Sequence, residues 1–212
     1  MTKLEILKKL ASLIDKEYEA MVAKDRDTYT EYFKKMGDNL AEQKKAVLEE
    51  IVLLSAELEK LTPGTEEYDK KYSELNERQT DLIDIEKKIA NLRDEEIQDE
   101  ISRLNNREAT VEALIEQQKL LLKEADTEDE VIERQKELND LVRQERDIRK
   151  SINDYQNELL DTRLQYNSGT AYSDSKTYDN LVNQKVENYK KNAEIALEAI
   201  EAETRLAYNE LI

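Results

Sequence analysis

Apolar residues recur along this chain at alternating steps of three and four, the spacing that lines them up as one stripe on an α-helix. The first stripe is Leu4, Leu7, Ala11, Ile14, Tyr18 and Met21. Thr2 and Glu5 stand in front of it in capping-box spacing, so a helix is expected to begin at once. The pattern falters at Lys24-Asp25-Arg26-Asp27, and Thr28-Tyr29-Thr30-Glu31 is a second capping box, so a break is expected near 24–28. Tyr29, Phe33, Met36 and Leu40 continue the stripe. Gly37-Asp38-Asn39 predicts a kink there, since glycine weakens a helix interior and Asp or Asn can cap a restart. From Val47 the stripe runs through Ile51, Leu54, Leu58 and Leu61. Val52 and Leu53 broaden it into the most apolar patch of the chain, expected to be buried by more than one neighbouring helix.

The longest element is a single helix predicted over Glu66–Glu124. It is entered through Leu61-Thr62-Pro63-Gly64-Thr65, which holds the one proline of the chain. Proline has no N–H to donate and disfavours helical geometry before it, yet suits the first position of a new helix, with Thr62 as the expected cap. The stripe passes through Tyr68, Tyr72, Leu75, Leu82, Ile85, Ile89 and Leu92. At Arg93-Asp94-Glu95-Glu96 the step to Ile97 is five residues, so the seam jumps. It resumes through Ile101, Leu104, Val111, Ile115 and Leu122, with Glu108 and Gln118 at seam positions and a weak spot at Asn105-Asn106. An unbroken helix of this span is about 90 Å long at about 1.5 Å per residue.

A second corner follows at 125–128, where Thr127 and Glu130 form a capping box. The next stripe is Val131, Leu138, Leu141, Ile148, Ile152, Tyr155, Leu159 and Tyr166, with Glu145 as a polar intrusion. A faint repeat relates the two corners: Leu75-Asn76-Glu77 matches Leu138-Asn139-Asp140, and Ile85, Lys87 and Ile89 match Ile148, Lys150 and Ile152. Residues 168–177 read as a linker. A last helix, 178–212, has Val182, Val186, Tyr189, Ala193, Ala196 and Ile200 as its seam, and its many alanines favour close packing.

The fold class expected is therefore all-α, an elongated antiparallel coiled coil or helical-hairpin bundle. Its segments are N-terminal helices over 1–61, a long hairpin over 62–167, the linker, and the C-terminal helix. The candidate interface residues are Ile51, Val52, Leu53 and Leu54 in the first segment and Ala193, Ala196 and Ile200 in the last.

Composition agrees with helices that expose most of their surface. Charged residues are 39% and hydrophobic residues 38%, and there are only 3 glycines to allow turns. The formal charge of −17 repels phosphate backbones and anionic lipid, so neither nucleic acid nor membrane is an expected partner. The apolar runs Ile51-Val52-Leu53-Leu54 and Leu120-Leu121-Leu122 are far shorter than the roughly 20 residues that span a bilayer. With no signal-peptide pattern at the start, the expected location is the cytoplasm or a particle assembled there.

The chain has no His and no Cys, which removes the commonest general base and the Cys/His zinc sites. Three separated glycines cannot write a phosphate-binding loop. Paired carboxylates such as Glu49-Glu50, Glu66-Glu67 and Glu95-Glu96 read as solvated helix faces, because carboxyl catalysis also needs a cleft that shifts a pKa. Asp126-Thr127-Glu128-Asp129-Glu130 lacks the spacing and glycine of a calcium loop and reads as a cap. The tyrosines lack the basic neighbours of a nucleic-acid surface. No enzyme activity, cofactor, metal or small-molecule substrate is expected. A pocket lined by Glu108, Gln118 and Glu145 would reopen the enzyme class.

Texture adds one resemblance. The corner Leu61-Thr62-Pro63-Gly64-Thr65-Glu66-Glu67-Tyr68, the Lys-, Asn- and Glu-rich heptads, and Asn183-Gln184-Lys185-Val186-Glu187-Asn188-Tyr189-Lys190-Lys191 make the chain similar to helical structural proteins of tailed bacteriophages, particularly tape-measure segments and scaffolding proteins. Tape-measure proteins are longer and carry apolar membrane-active stretches, so the resemblance is to a fragment or an accessory protein. It implies an assembly role: setting a length, spacing rigid parts, or guiding subunits into a shell. Two function classes follow. One is a coiled-coil rod or spacer that forms a homo-oligomer and organises protein partners. The other is an acidic adaptor, chaperone or nucleic-acid mimic that captures a basic protein.

Overall fold

The computed structural model describes residues 2–21, 26–169 and 175–209. Among these residues the chain is all-α, a helical bundle of five helices without a strand. They are α1 (Lys3–Ala20), α2 (Arg26–Leu58), α3 (Glu66–Glu124), α4 (Glu128–Gly169) and α5 (Ser175–Asn209). No described helix is long and apolar enough to cross a membrane.

Helix ends follow local chemistry. Thr2 and Glu5 close the expected capping box of α1: the Glu5 N–H donates to Thr2 Oγ1, and the Thr2 N–H donates to Glu5 Oε2 at 2.8 Å. Thr127 and Glu130 do the same for α4. The first corner differs from expectation. Thr65, rather than Thr62, caps α3, its Oγ1 accepting from the Tyr68 N–H. Thr62 through Thr65 form a turn closed by the Thr65 N–H donating to the Thr62 carbonyl. Pro63 occupies its second position and Gly64 its third, at φ 83°. A type II turn requires that positive φ, which a residue without Cβ adopts without strain.

Of the other expected interruptions, the break near 24–28 separates α1 from α2, and the kink at 37–39 is absent. Gly37-Asp38-Asn39 is continuous helix, and Gly37 faces Leu92 of α3. Asn39 is buried and bonded sideways instead of capping. Thr28 lies within α2, which has begun by Arg26, so the helix starts before that capping box; residues 22–25 of that break lie outside the described residues. Tyr18 stacks on Tyr32 at 4.1 Å and meets Tyr29 edge-on, joining α1 to α2. Helix also extends over 168–169 and 175–177 of the expected linker, and 170–174 lie outside the described residues. Asn105-Asn106 leaves α3 intact.

The chain groups into two compact units, Met1–Arg93 and Asp94–Ile212, divided inside α3 where the apolar seam jumps. In the first unit α2 runs antiparallel to the N-terminal part of α3, and α1 lies along both. Leu4, Val47 and Ile85 form one core layer with Ile51, Leu82 and Ile89. Ile14, Met36 and Leu40 form the next, with Ala11, Tyr32 and Leu92. Lys8–Asp81, Lys44–Glu86, Lys71–Glu57 and Arg78–Glu50 strap this core at its rim.

In the second unit the C-terminal part of α3 runs antiparallel to α4. Val111, Ile115, Ile148 and Ile152 form the core, flanked by Ile101, Leu104, Leu138 and Leu141. α5 packs on α4 through buried Leu181 and a Lys185–Asp161 ion pair. Ile85 and Ile148, which correspond in the faint repeat, are both core residues, each in its own unit.

Candidate functional site

Two kinds of feature stand out against these cores: polar residues inside the seams, and apolar residues outside them. Both follow from where a helical stripe points.

Glu108 on α3 and Glu145 on α4 are partly buried and face each other. With Glu112 they offer carboxylate oxygens within 4.8 Å of one another. Arg149 sits among them, Nε 2.8 Å from Glu108 and Nη2 2.7 Å from Glu145 and 3.5 Å from Glu112. The bond to Glu108, opposed by partial desolvation and reinforced by the charges of Glu145 and Glu108 and the bond to Glu112, raises the guanidinium's pKa. Three oxygen donors suit a hard divalent cation. Here the guanidinium occupies the same oxygens, so the group acts as an ionic strap between α3 and α4. Gln118 does not join it. It lies about 15 Å further along α3, at about 1.5 Å per residue, and donates to Glu137 Oε2 and toward the Arg134 carbonyl. The structure thus brings Glu108 and Glu145 together and leaves Gln118 apart.

Sequence reading missed a second polar group, in the first unit. Asn39 Nδ2 donates to the Leu7 carbonyl at 3.2 Å, and Gln43 Nε2 donates to Asn39 Oδ1 at 2.6 Å. Gln43 is 2% exposed. The signal was present, since 36, 39, 40, 43, 46 and 47 keep helical spacing on one face. An amide interrupts an apolar stripe, so a hydrophobic pattern does not mark it. In the second unit Asp94 bonds Arg163 at 2.7 Å through one oxygen while its other oxygen is buried without a partner, as are Asn157 Oδ1 and Asn192 Oδ1.

The candidate interface residues divide. Ile51 and Leu54 are half-buried. Val52 and Leu53, expected to be covered, are 67% and 64% exposed. The reason is angular. Val47, Ile51, Leu54 and Leu58 share the face toward α3, each further residue turns about 100°, and no described helix covers the far side. Leu48 joins Val52 and Leu53 in a shallow apolar groove on that outer face, with Ala41, Lys44, Lys45 and Glu49 around it.

On α5 the expected seam is displaced by one residue. Leu181, Lys185, Asn188, Asn192, Ile195 and Ala199 take the covered side. Val182, Val186, Tyr189, Ala193, Ala196 and Ile200 are exposed, Ile200 at 61%. Leu181 is buried there and Lys185 pairs with Asp161, while Gln156, Asn180 and Gln184 line an amide-rich groove between α4 and α5.

No family model, curated protein or solved structure matches this chain.

Proposed function

We propose that the chain is a non-enzymatic structural or assembly protein, a helical spacer that self-associates and organises other proteins. The observation that carries this is the pair of exposed apolar faces, one on α2 and one on α5, each at helical spacing. Apolar side chains aligned along a helix are costly to leave in water and mark a surface meant to be covered by protein. The polar groups within the seams support the same reading, because their chemistry is spent on joining helices. The resemblance to helical structural proteins of tailed bacteriophages favours a particle assembled in the cytoplasm as the setting.

Sedimentation equilibrium tests this. Self-association gives a mass above the 24.8 kDa of one chain, rising with concentration. A single-chain mass up to hundreds of micromolar would overturn it.

The net charge of −17 favours a second reading, an acidic module that captures a basic protein. Salt separates the two. Capture by charge weakens steeply as ionic strength rises, whereas apolar packing does not.

A further inference from the structure

The outer face of α2 has a symmetry of its own. Ala41, Lys45, Leu48, Glu49, Val52 and Ala56 lie along one side of the helix, all exposed apart from the core stripe behind them. Read outward from the midpoint between Leu48 and Glu49, the stripe pairs Leu48 with Glu49, Lys45 with Val52, and Ala41 with Ala56. A two-fold axis through that midpoint therefore brings small side chains against small ones at both ends. It also lays the Lys45 stem on Val52 and sets the Lys45 ammonium about one turn from the Glu49 carboxylate of the other copy. Among the described residues neither Lys45 nor Glu49 has an ion-pair partner within the chain, whereas neighbouring Lys44 and Glu50 are paired to α3. The stripe is also locally balanced in charge on a chain of −17, so a second copy meets no local repulsion there.

We infer that two copies of this chain pair antiparallel on the outer face of α2, Leu48 and Glu49 flanking the two-fold axis and Lys45 of each copy reaching Glu49 of the other. This rests on the self-associating function proposed above and names the surface that performs it. Ala41 and Ala56 let the helix axes close to contact distance at either end of the pairing. Leu48, Val52 and Leu53 supply the apolar area, and the two reciprocal Lys45–Glu49 pairs fix direction and register.

The test uses the full chain, which has no cysteine of its own. Ala41→Cys and Ala56→Cys copies are mixed, oxidised and run without reductant. Antiparallel pairing gives a mixed crosslinked dimer and none from either variant alone, whereas parallel pairing crosslinks each variant with itself. In parallel, sedimentation compares Lys45→Glu and Glu49→Lys. Each alone is expected to weaken association about tenfold by placing like charges together, and mixing the two restores it. All four positions are exposed, so the helix signal in circular dichroism stays unchanged. Association that persists with neither the mixed crosslink nor the charge effect overturns the α2 surface and leaves self-association standing. A wild-type chain that remains single at every concentration overturns both.

Discussion

Asn39 shows how much one buried amide can fix. Its Nδ2 holds the Leu7 carbonyl of α1 and its Oδ1 receives Gln43, so α1 has one favoured height on α2. Replacing Asn39 by Ala strands Gln43 in the core and is expected to cost about 1–3 kcal/mol, measured by urea unfolding. Replacing Asn39 and Gln43 together by Leu should cost much less, because no polar group is then left unpaired. The loss should then appear as looser α1 register, read by amide exchange in α1. Gly37 gives the opposite case. A Cβ there would meet Leu92 Cδ2 at 4.0 Å, an ordinary contact, so Gly37→Ala should raise stability by about 0.5–1 kcal/mol in the same assay.

At the scale of elements, α1 is the weakest piece. A helix of 18 residues is marginal alone and holds through its neighbours. Asp81 of α3 is one of those holds, accepting from Lys8 of α1 and Arg78 of α3. Partial burial pushes the Asp81 carboxyl up, but the bond and charge of Lys8 and the charge and bond of Arg78 outweigh it and keep it below the usual carboxylate range. A depressed native pKa means that the unfolded chain takes up the proton first as pH falls. The contribution of Asp81 is therefore complete above about pH 4, the ordinary value for Asp, and is lost as pH falls through its lower native value. Thermal melts of wild type and Asp81→Asn should differ at pH 7 and converge as the solution is acidified toward pH 2. The α4 cap is a second hold of this scale. Thr127→Ala should cost about 1 kcal/mol and lower amide protection in the first turn of α4.

For the whole molecule, two compact units with separate cores imply two local stabilities along one continuous α3. Ile85, buried in the first unit, and Ile148, buried in the second, should each cost about 2–5 kcal/mol when cut to Ala. Hydrogen exchange should place the larger loss of protection within residues 1–93 for Ile85→Ala and within 94–212 for Ile148→Ala. An equal loss across both would show that the chain unfolds as one body.

The apolar stripe with its turn and cap residues marked the described helices and the corners at Thr62–Thr65 and before Glu128, but not the continuity of α2 through 37–39, since a 3-4 apolar stripe has few other ways to be buried and a Pro-Gly pair cannot continue a helix. It named Leu4, Ile14, Met36, Val47, Ile85, Ile97, Val111, Ile115, Ile148 and Ile152 as seam residues, and these are buried, whereas Met21, Tyr72 and Val131 of the same stripes are exposed because they stand beside helix ends. It could not say how many neighbours each helix has, and that number decides the fate of every residue beside the seam. Val52 and Leu53 look like core in one dimension, but three helices leave the far side of α2 in water. On α5 the contest was between the stripe Val182, Val186, Tyr189, Ala193, Ala196 and Ile200 and the stripe Leu181, Lys185, Asn188, Asn192, Ile195 and Ala199 one residue away. The inner place went to the one whose Leu181 is buried on α4 and whose Lys185 ammonium meets Asp161. Burial is a property of what lies opposite, and what lies opposite is set only when the helices come together.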